Sequence, residues 1–146
     1  MPFTRICLHK GKSPNHLKAL SASLHQALVE AFEVPETDRF QVIHQLEPGE
    51  LVFDPHYLSG PGGPRSDDFV LFAVTAGRQR DHNIKAAFYR RLVDLLAVSP
   101  GLRPEDVMVV INTTASDEWS FASGIVNEVV GSQGMGEAPS VSGETL

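Results

Sequence analysis

Asp68-Phe69-Val70-Leu71-Phe72-Ala73-Val74-Thr75-Ala76 is the stretch on which the reading of this chain turns. The apolar run from Phe69 to Val74 has the composition of a strand buried on both faces. Directly after it, Gly77-Arg78-Gln79-Arg80 closes the strand, and Asp81 can cap a helix whose apolar stripe is Ile84, Phe88, Leu92, Leu95 and Leu96. That helix is expected to end near Ser99-Pro100-Gly101, and Val107-Met108-Val109-Val110-Ile111 supplies the next strand.

The same program is legible upstream. Pro2 to Leu8 mixes β-branched and aromatic residues and stops at His9-Lys10-Gly11-Lys12, as a strand entering a turn does. Ser13-Pro14 reads as an N-cap followed by proline at the first helical position, and Leu17, Leu20, Leu24, Leu28, Ala31 and Phe32 follow at helical spacing. This helix must stop before Pro35. Arg39 to Leu46 is expected as a second strand, with Leu51-Val52-Phe53 as a short returning strand after the Pro48-Gly49 turn. The Gly, Pro and Ser cluster from Ser59 to Pro64 separates the halves. The order is therefore β-α-β, loop, β-α-β: an α/β fold in which tandem units share one four-stranded sheet with two helices on one face. Phe40, Val42, Val70, Phe72 and Val109 make the sheet apolar on more than one side, so the uncovered face calls for burial against copies of the same chain.

At 146 residues, one domain over 1–130 is expected, followed by a Gly-, Ser- and Glu-rich tail over 131–146. The net charge of -6, with Lys and Arg scattered, argues against nucleic acid or an anionic membrane surface as partner. Cys7 is the single cysteine and forbids an internal disulfide; six histidines show no pair at metal-ligand spacing, so no metal is expected. No basic-then-apolar leader and no apolar stretch of about 20 residues occurs, and the default expectation is a reducing cytoplasm.

Several residues can carry chemistry. Pro2 follows Met1, and removal of Met1 would leave a secondary amine at a strand start. An ordinary α-amino group titrates near 8, and burial or neighbouring cations disfavour its charged form, so a walled-in prolyl amine can act as base, acid or nucleophile. Retention of Met1 would make the same nitrogen an unreactive amide. Arg78 and Arg80, at alternate positions after the apolar strand, are expected to point two guanidinium forks into one crevice, where they imply a carboxylate ligand; the plainer reading is solvated side chains or pairing with Asp81. Asp38 is a candidate for orienting a water or the amine, or else a turn residue paired with Arg39. His25 is a packed boundary residue or a substrate contact. Trp119 and Phe121 either cap the core or wall a small pocket that excludes water.

Taken in order, Pro2, Val34-Pro35 with Asp38-Arg39-Phe40-Gln41, Pro48-Gly49-Glu50, Arg78-x-Arg80, Phe88-Tyr89 and Trp119-Ser120-Phe121 resemble the tautomerase superfamily, and within it the malonate semialdehyde decarboxylases. The resemblance runs from Pro2 to about Gly131. It implies a tautomerase-like homotrimer and an amino-terminal proline as catalytic group. Asp38, Arg78 and Arg80 match the family's other site positions, with Trp119 and Phe121 in the apolar wall. The implied activity is cofactor-independent decarboxylation of a small 3-oxo acid, malonate semialdehyde to acetaldehyde and carbon dioxide. Tautomerisation of 2-oxo acids, hydration or dehalogenation of 3-haloacrylates, and a catalytically silent module are the alternatives on this fold. Two departures bear on substrate fit: Gln79 stands where the decarboxylase pattern has proline, and the segment from Asp54 to Asp67 is longer and richer in Gly and Pro.

Overall fold

The computed structural model describes residues 1–128; the expected tail, and the last residues of the expected domain, lie outside the described residues. The elements are β1 (Pro2–His9), α1 (Pro14–Ala31), β2 (Gln41–Leu46), β3 (Val70–Ala76), α2 (His82–Val98) and β4 (Val107–Thr113), with single 3-10 turns at Pro104–Asp106 and Ser116–Glu118. The four strands form one mixed sheet in the order β2-β1-β3-β4. Each β-α-β unit contributes a parallel pair, and the two units meet along antiparallel β1 and β3, where Pro2 lies opposite Ala76 and Ile6 opposite Phe72.

Both caps form as their chemistry dictates. The Ser13 hydroxyl accepts from the His16 N–H at 3.1 Å, and the Asp81 carboxylate accepts from the Ile84 N–H at 2.9 Å, each satisfying an amide with no partner inside its helix. The apolar stripes then pack as a single layer on one sheet face. Leu20, Leu24, Leu28, Phe88, Leu92 and Leu96 are buried against Ile6, Leu8, Val70, Phe72 and Val74. The other face carries the row Val42, Arg5, Ala73 and Val110 in register across the strands, with no helix over it among the described residues. Its members are half-buried or exposed, so β3 is fully covered on one face only.

The short returning strand expected at Leu51-Val52-Phe53 is not there. These residues have no ladder partner: the imidazole of His9 donates to the Leu51 carbonyl at 2.9 Å, Phe53 stacks on Phe69 at 4.3 Å, and Val52 points into solvent. Side-chain anchoring has replaced strand pairing. The Gly- and Pro-rich segment that follows is held by buried or ordered polar groups. Arg65 donates to the carbonyls of Asp54 and Tyr57, and the buried Asp106 carboxylate accepts from the Ser66 N–H at 2.6 Å and its hydroxyl at 2.7 Å. Among the described residues no helix is long and apolar enough to cross a membrane.

Candidate active site

The amino terminus sits at the carboxyl end of β3 because the β1–β3 register puts it there. Met1 continues β1 by one residue, and its carbonyl accepts from the Gly77 N–H at 2.9 Å. The Met1 amine lies 3.2 Å from the Asp38 carboxylate, in a pair that is largely withdrawn from solvent. Burial lowers the amine's pKa below its ordinary value of 8.0; Asp38 opposes this, and the charges of Arg80 and Arg78 add to it. Asp38 therefore pairs with the chain terminus rather than with Arg39, whose guanidinium donates to Ser21 Oγ at 2.9 Å. The other carboxylate oxygen of Asp38, Oδ1, is buried with no hydrogen-bond partner among the described residues.

The two arginines converge on this point by different routes. Arg80 is buried: its guanidinium lies 4.2 Å from the Phe32 ring centroid, Nε donates to the Phe32 carbonyl at 3.1 Å and Nη1 to the Arg78 carbonyl at 3.1 Å. Removal from water, followed by repulsion from Arg78, lowers its pKa to about 10, which still leaves it cationic at neutral pH. Arg78 is half-exposed and donates from Nη2 to Glu33 at 2.7 Å. The expectation of two equivalent forks is thus corrected. Arg80 has spent Nε and Nη1 on protein carbonyls, whereas Arg78 engages Glu33 through one nitrogen only.

Trp119 and Phe121 stack with ring centroids 5.4 Å apart, and Phe121 continues to Phe40 at 5.7 Å. The indole N–H donates to Thr114 Oγ1 at 2.7 Å, and that hydroxyl donates to the Ala76 carbonyl at 2.9 Å, so the wall is tied to the end of β3. His25 is brought near rather than in. Its Nε2–H donates to the Glu36 carbonyl at 2.7 Å, two residues before Asp38, which fixes the loop carrying that carboxylate. Sequence reasoning missed Glu33, Gly77, Thr114 and Asn127. Gly77 had a local signal, as the glycine between an apolar strand and an arginine; Asn127, whose Nδ2 donates to Met1 Sδ at 3.2 Å, had none. Cys7 is half-buried on β1, and desolvation pushes its thiol pKa up, as expected of an inert thiol.

Family models described as tautomerase enzyme match residues 38–122 and 2–60. The chain belongs to the tautomerase family. Among its relatives, the probable tautomerase YusQ of Bacillus subtilis (strain 168) is 36% identical over 124 residues, covering 85% of this chain and 95% of its own. A solved malonate semialdehyde decarboxylase is 33% identical with a TM-score of 0.76, covering 84% of this chain and 92% of that one. A second, the FG41 malonate semialdehyde decarboxylase inhibited by 3-bromopropiolate, is 28% identical with a TM-score of 0.77, covering 84% and 91%. This tautomerase-family chain thus shares the fold of both over 84% of its length.

The unequal burial of the arginines makes a stability prediction. Arg80→Lys cannot reproduce two carbonyl hydrogen bonds and a stacked plane, and should cost about 1–3 kcal/mol, read as a lowered Tm. Arg78→Lys, at an exposed ion pair, should leave the stability within about 1 kcal/mol of the parent, read as a nearly unchanged Tm. Equal Tm values for the two variants would contradict the buried placement of Arg80.

Proposed function

We propose that the chain, with Met1 removed, is a cofactor-independent carboxy-lyase acting on malonate semialdehyde, with Pro2 as its catalytic amine. The observation that carries this reading is the placement of the Pro2 nitrogen: it lies one peptide unit from an amine 3.2 Å from Asp38 and in the field of Arg78 and Arg80. The likeness to solved malonate semialdehyde decarboxylases over 84% of the chain supports it.

The reaction needs an electron sink at the 3-carbonyl. Breaking the bond to the carboxylate carbon releases an electron pair into that carbonyl and carbon dioxide leaves; an enol then takes a proton at carbon to give acetaldehyde, whereas an enamine on Pro2 is protonated at carbon to an iminium ion, which water hydrolyses to acetaldehyde and the free amine. A protonated Pro2 stabilises the pair by hydrogen-bonding the carbonyl oxygen; a neutral Pro2 forms an iminium ion, which holds the pair on nitrogen. Arg78, released from Glu33, holds the substrate carboxylate out of the carbonyl plane, with Arg80 supplying a second fixed positive charge. Asp38 biases Pro2 toward its cation and is placed to orient a water. The wall of Trp119, Phe121 and Phe40 limits water access and strengthens these charges.

Tautomerisation of an enolised 2-oxo acid is the second reading, and it is favoured by the names of the two Bacillus subtilis relatives, both probable tautomerases, at 36% and 32% identity. It needs only a proton shuttle at neutral Pro2. We further propose that the uncovered sheet face, with Val42, Val110 and Met108 exposed, is buried between copies in a homotrimer. Sedimentation equilibrium is expected to give three chain masses, and a monomer mass would refute the assembly.

Arg78→Lys should lower kcat/KM on malonate semialdehyde by at least about tenfold, because lysine keeps the charge and loses the planar fork. Parallel assay on an enolised 2-oxo acid decides between the readings: the decarboxylase reading fails if only the tautomerisation is turned over. Asp38 also has a signed effect on pH dependence. Its charge raises the pKa of the amine beside it, so Asp38→Asn should move the Pro2 limb of the pH–rate profile to lower pH. An unmoved limb would separate Asp38 from Pro2.

A further inference from the structure

Met1 marks more than a residue to be removed. Its carbonyl carbon is bonded to the Pro2 nitrogen, so it stands where a substrate carbonyl carbon would stand when Pro2 attacks it. Its Cα then corresponds to the adjacent substrate carbon, and Cβ, Cγ, Sδ and Cε trace the path open to a substituent on that carbon. The path is a built slot. A Cβ added at Gly77 would run into Met1 Cε and lie 3.1 Å from Met1 Cβ and 3.3 Å from the Trp119 indole nitrogen. Across the slot, the Asn127 side chain donates from Nδ2 to Met1 Sδ at 3.2 Å.

Asn127 is held for that contact. Its backbone N–H donates to the Trp119 carbonyl at 2.8 Å, and the Ser116 carbonyl, 3.5 Å from Nδ2, turns the nitrogen end of the amide inward. Trp119 is itself fixed through Thr114 to the Ala76 carbonyl. On loss of Met1, the Gly77 N–H loses its acceptor and the Asn127 amide loses the sulfur, so two neutral donors and an indole face the space beside Pro2. Malonate semialdehyde, with a carboxylate as the substituent on that carbon, has no atoms that reach the Sδ and Cε end of this path.

We propose that the slot between Gly77, Trp119 and Asn127 is a substituent subsite, and that Asn127 is its specificity-determining residue. The substrate class is a small carbonyl acid with an unbranched substituent on the carbon next to the carbonyl, carrying an acceptor atom two carbons along that substituent. A thioether, ether or hydroxyl satisfies the Asn127 amide there; a plain hydrocarbon leaves a desolvated donor unpaired. The inference rests on the reading above only in that Pro2 carries the free amine.

The test uses reductive trapping, which needs no decarboxylation. The amine and an aldehyde lose water to give an iminium ion, and borohydride delivers hydride to its carbon, leaving a stable adduct on Pro2 that intact mass and peptide mapping locate. Three probes are compared at mildly alkaline pH: acetaldehyde, hexanal, and 4-(methylthio)butanal, which reproduces the Met1 carbonyl and side chain atom for atom. The thioether aldehyde should label Pro2 about threefold to tenfold faster than hexanal, the value of one neutral hydrogen bond. Asn127→Leu should erase that preference, and Gly77→Ala should slow both long aldehydes relative to acetaldehyde. Equal labelling by hexanal and the thioether, a preference that survives Asn127→Leu, or no adduct on Pro2 with any aldehyde would each overturn the subsite. Decarboxylation of malonate semialdehyde, assayed separately, reports on the proposed activity alone, so the two can fail independently.

Discussion

The antiparallel register of β1 on β3 is the constraint from which the site follows. With Pro2 opposite Ala76, the amino terminus is carried to the point where β3 turns into Gly77-Arg78-Gln79-Arg80. A shift of one residue would turn every β1 side chain to the wrong face, placing Arg5 under the helices and Ile6 in solvent. Burial of Ile6 and Leu8 beneath α1 and α2 therefore fixes the terminus as firmly as it fixes the core. The same register lines up the outer row of Val42, Arg5, Ala73 and Val110, so core, site and exposed face depend on one alignment.

Charge in the site is arranged by what each group gives up on leaving water. Arg80 is held by two carbonyls and an aromatic face, an environment that compensates a guanidinium and would serve an ammonium poorly. Arg78 keeps contact with solvent and with Glu33, whose backbone is left-handed at φ 59°. A non-glycine residue in that region costs of order 1 kcal/mol, and here it closes the turn after α1 and presents a carboxylate to Arg78. Asp38 sits further along the same α1–β2 loop, which is fixed by the His25 contact to Glu36. One buried cation, one solvent-facing cation and one anion thus surround the chain terminus, both cations supplied by the loop after β3 and the anion by the loop after α1.

Local chemistry made much of this legible. Ser13-Pro14 and Asp81 announced both helices because a cap is a short-range device, and the stripes Leu20-Leu24-Leu28 and Phe88-Leu92-Leu96 showed which faces would be buried. Leu51-Val52-Phe53 misled for the same reason. Its composition suits a strand, but composition says nothing about whether a neighbouring strand has a free edge, and the His9 and Phe69 side chains took the segment instead. His25 is packed at the edge of α1, and its hold on the Asp38 loop depends on a carbonyl that spacing does not reveal.

The order of elements, the caps, the buried stripes and the short list of Pro2, Asp38, Arg78, Arg80, Trp119 and Phe121 were written in the sequence itself, because periodicity, turn residues and rare side chains are local properties. The tertiary structure alone decided that Arg78 and Arg80 differ, that Met1 lies between Gly77 and Asn127, and that Asp38 meets the terminal amine. Those facts depend chiefly on contacts between distant residues, from Met1 with Asp38, 37 positions apart, to Met1 with Asn127, 126 apart. They are settled by how two β-α-β units close on one another, and the strand register that governs this closure is a cooperative outcome of the whole buried face rather than of any segment.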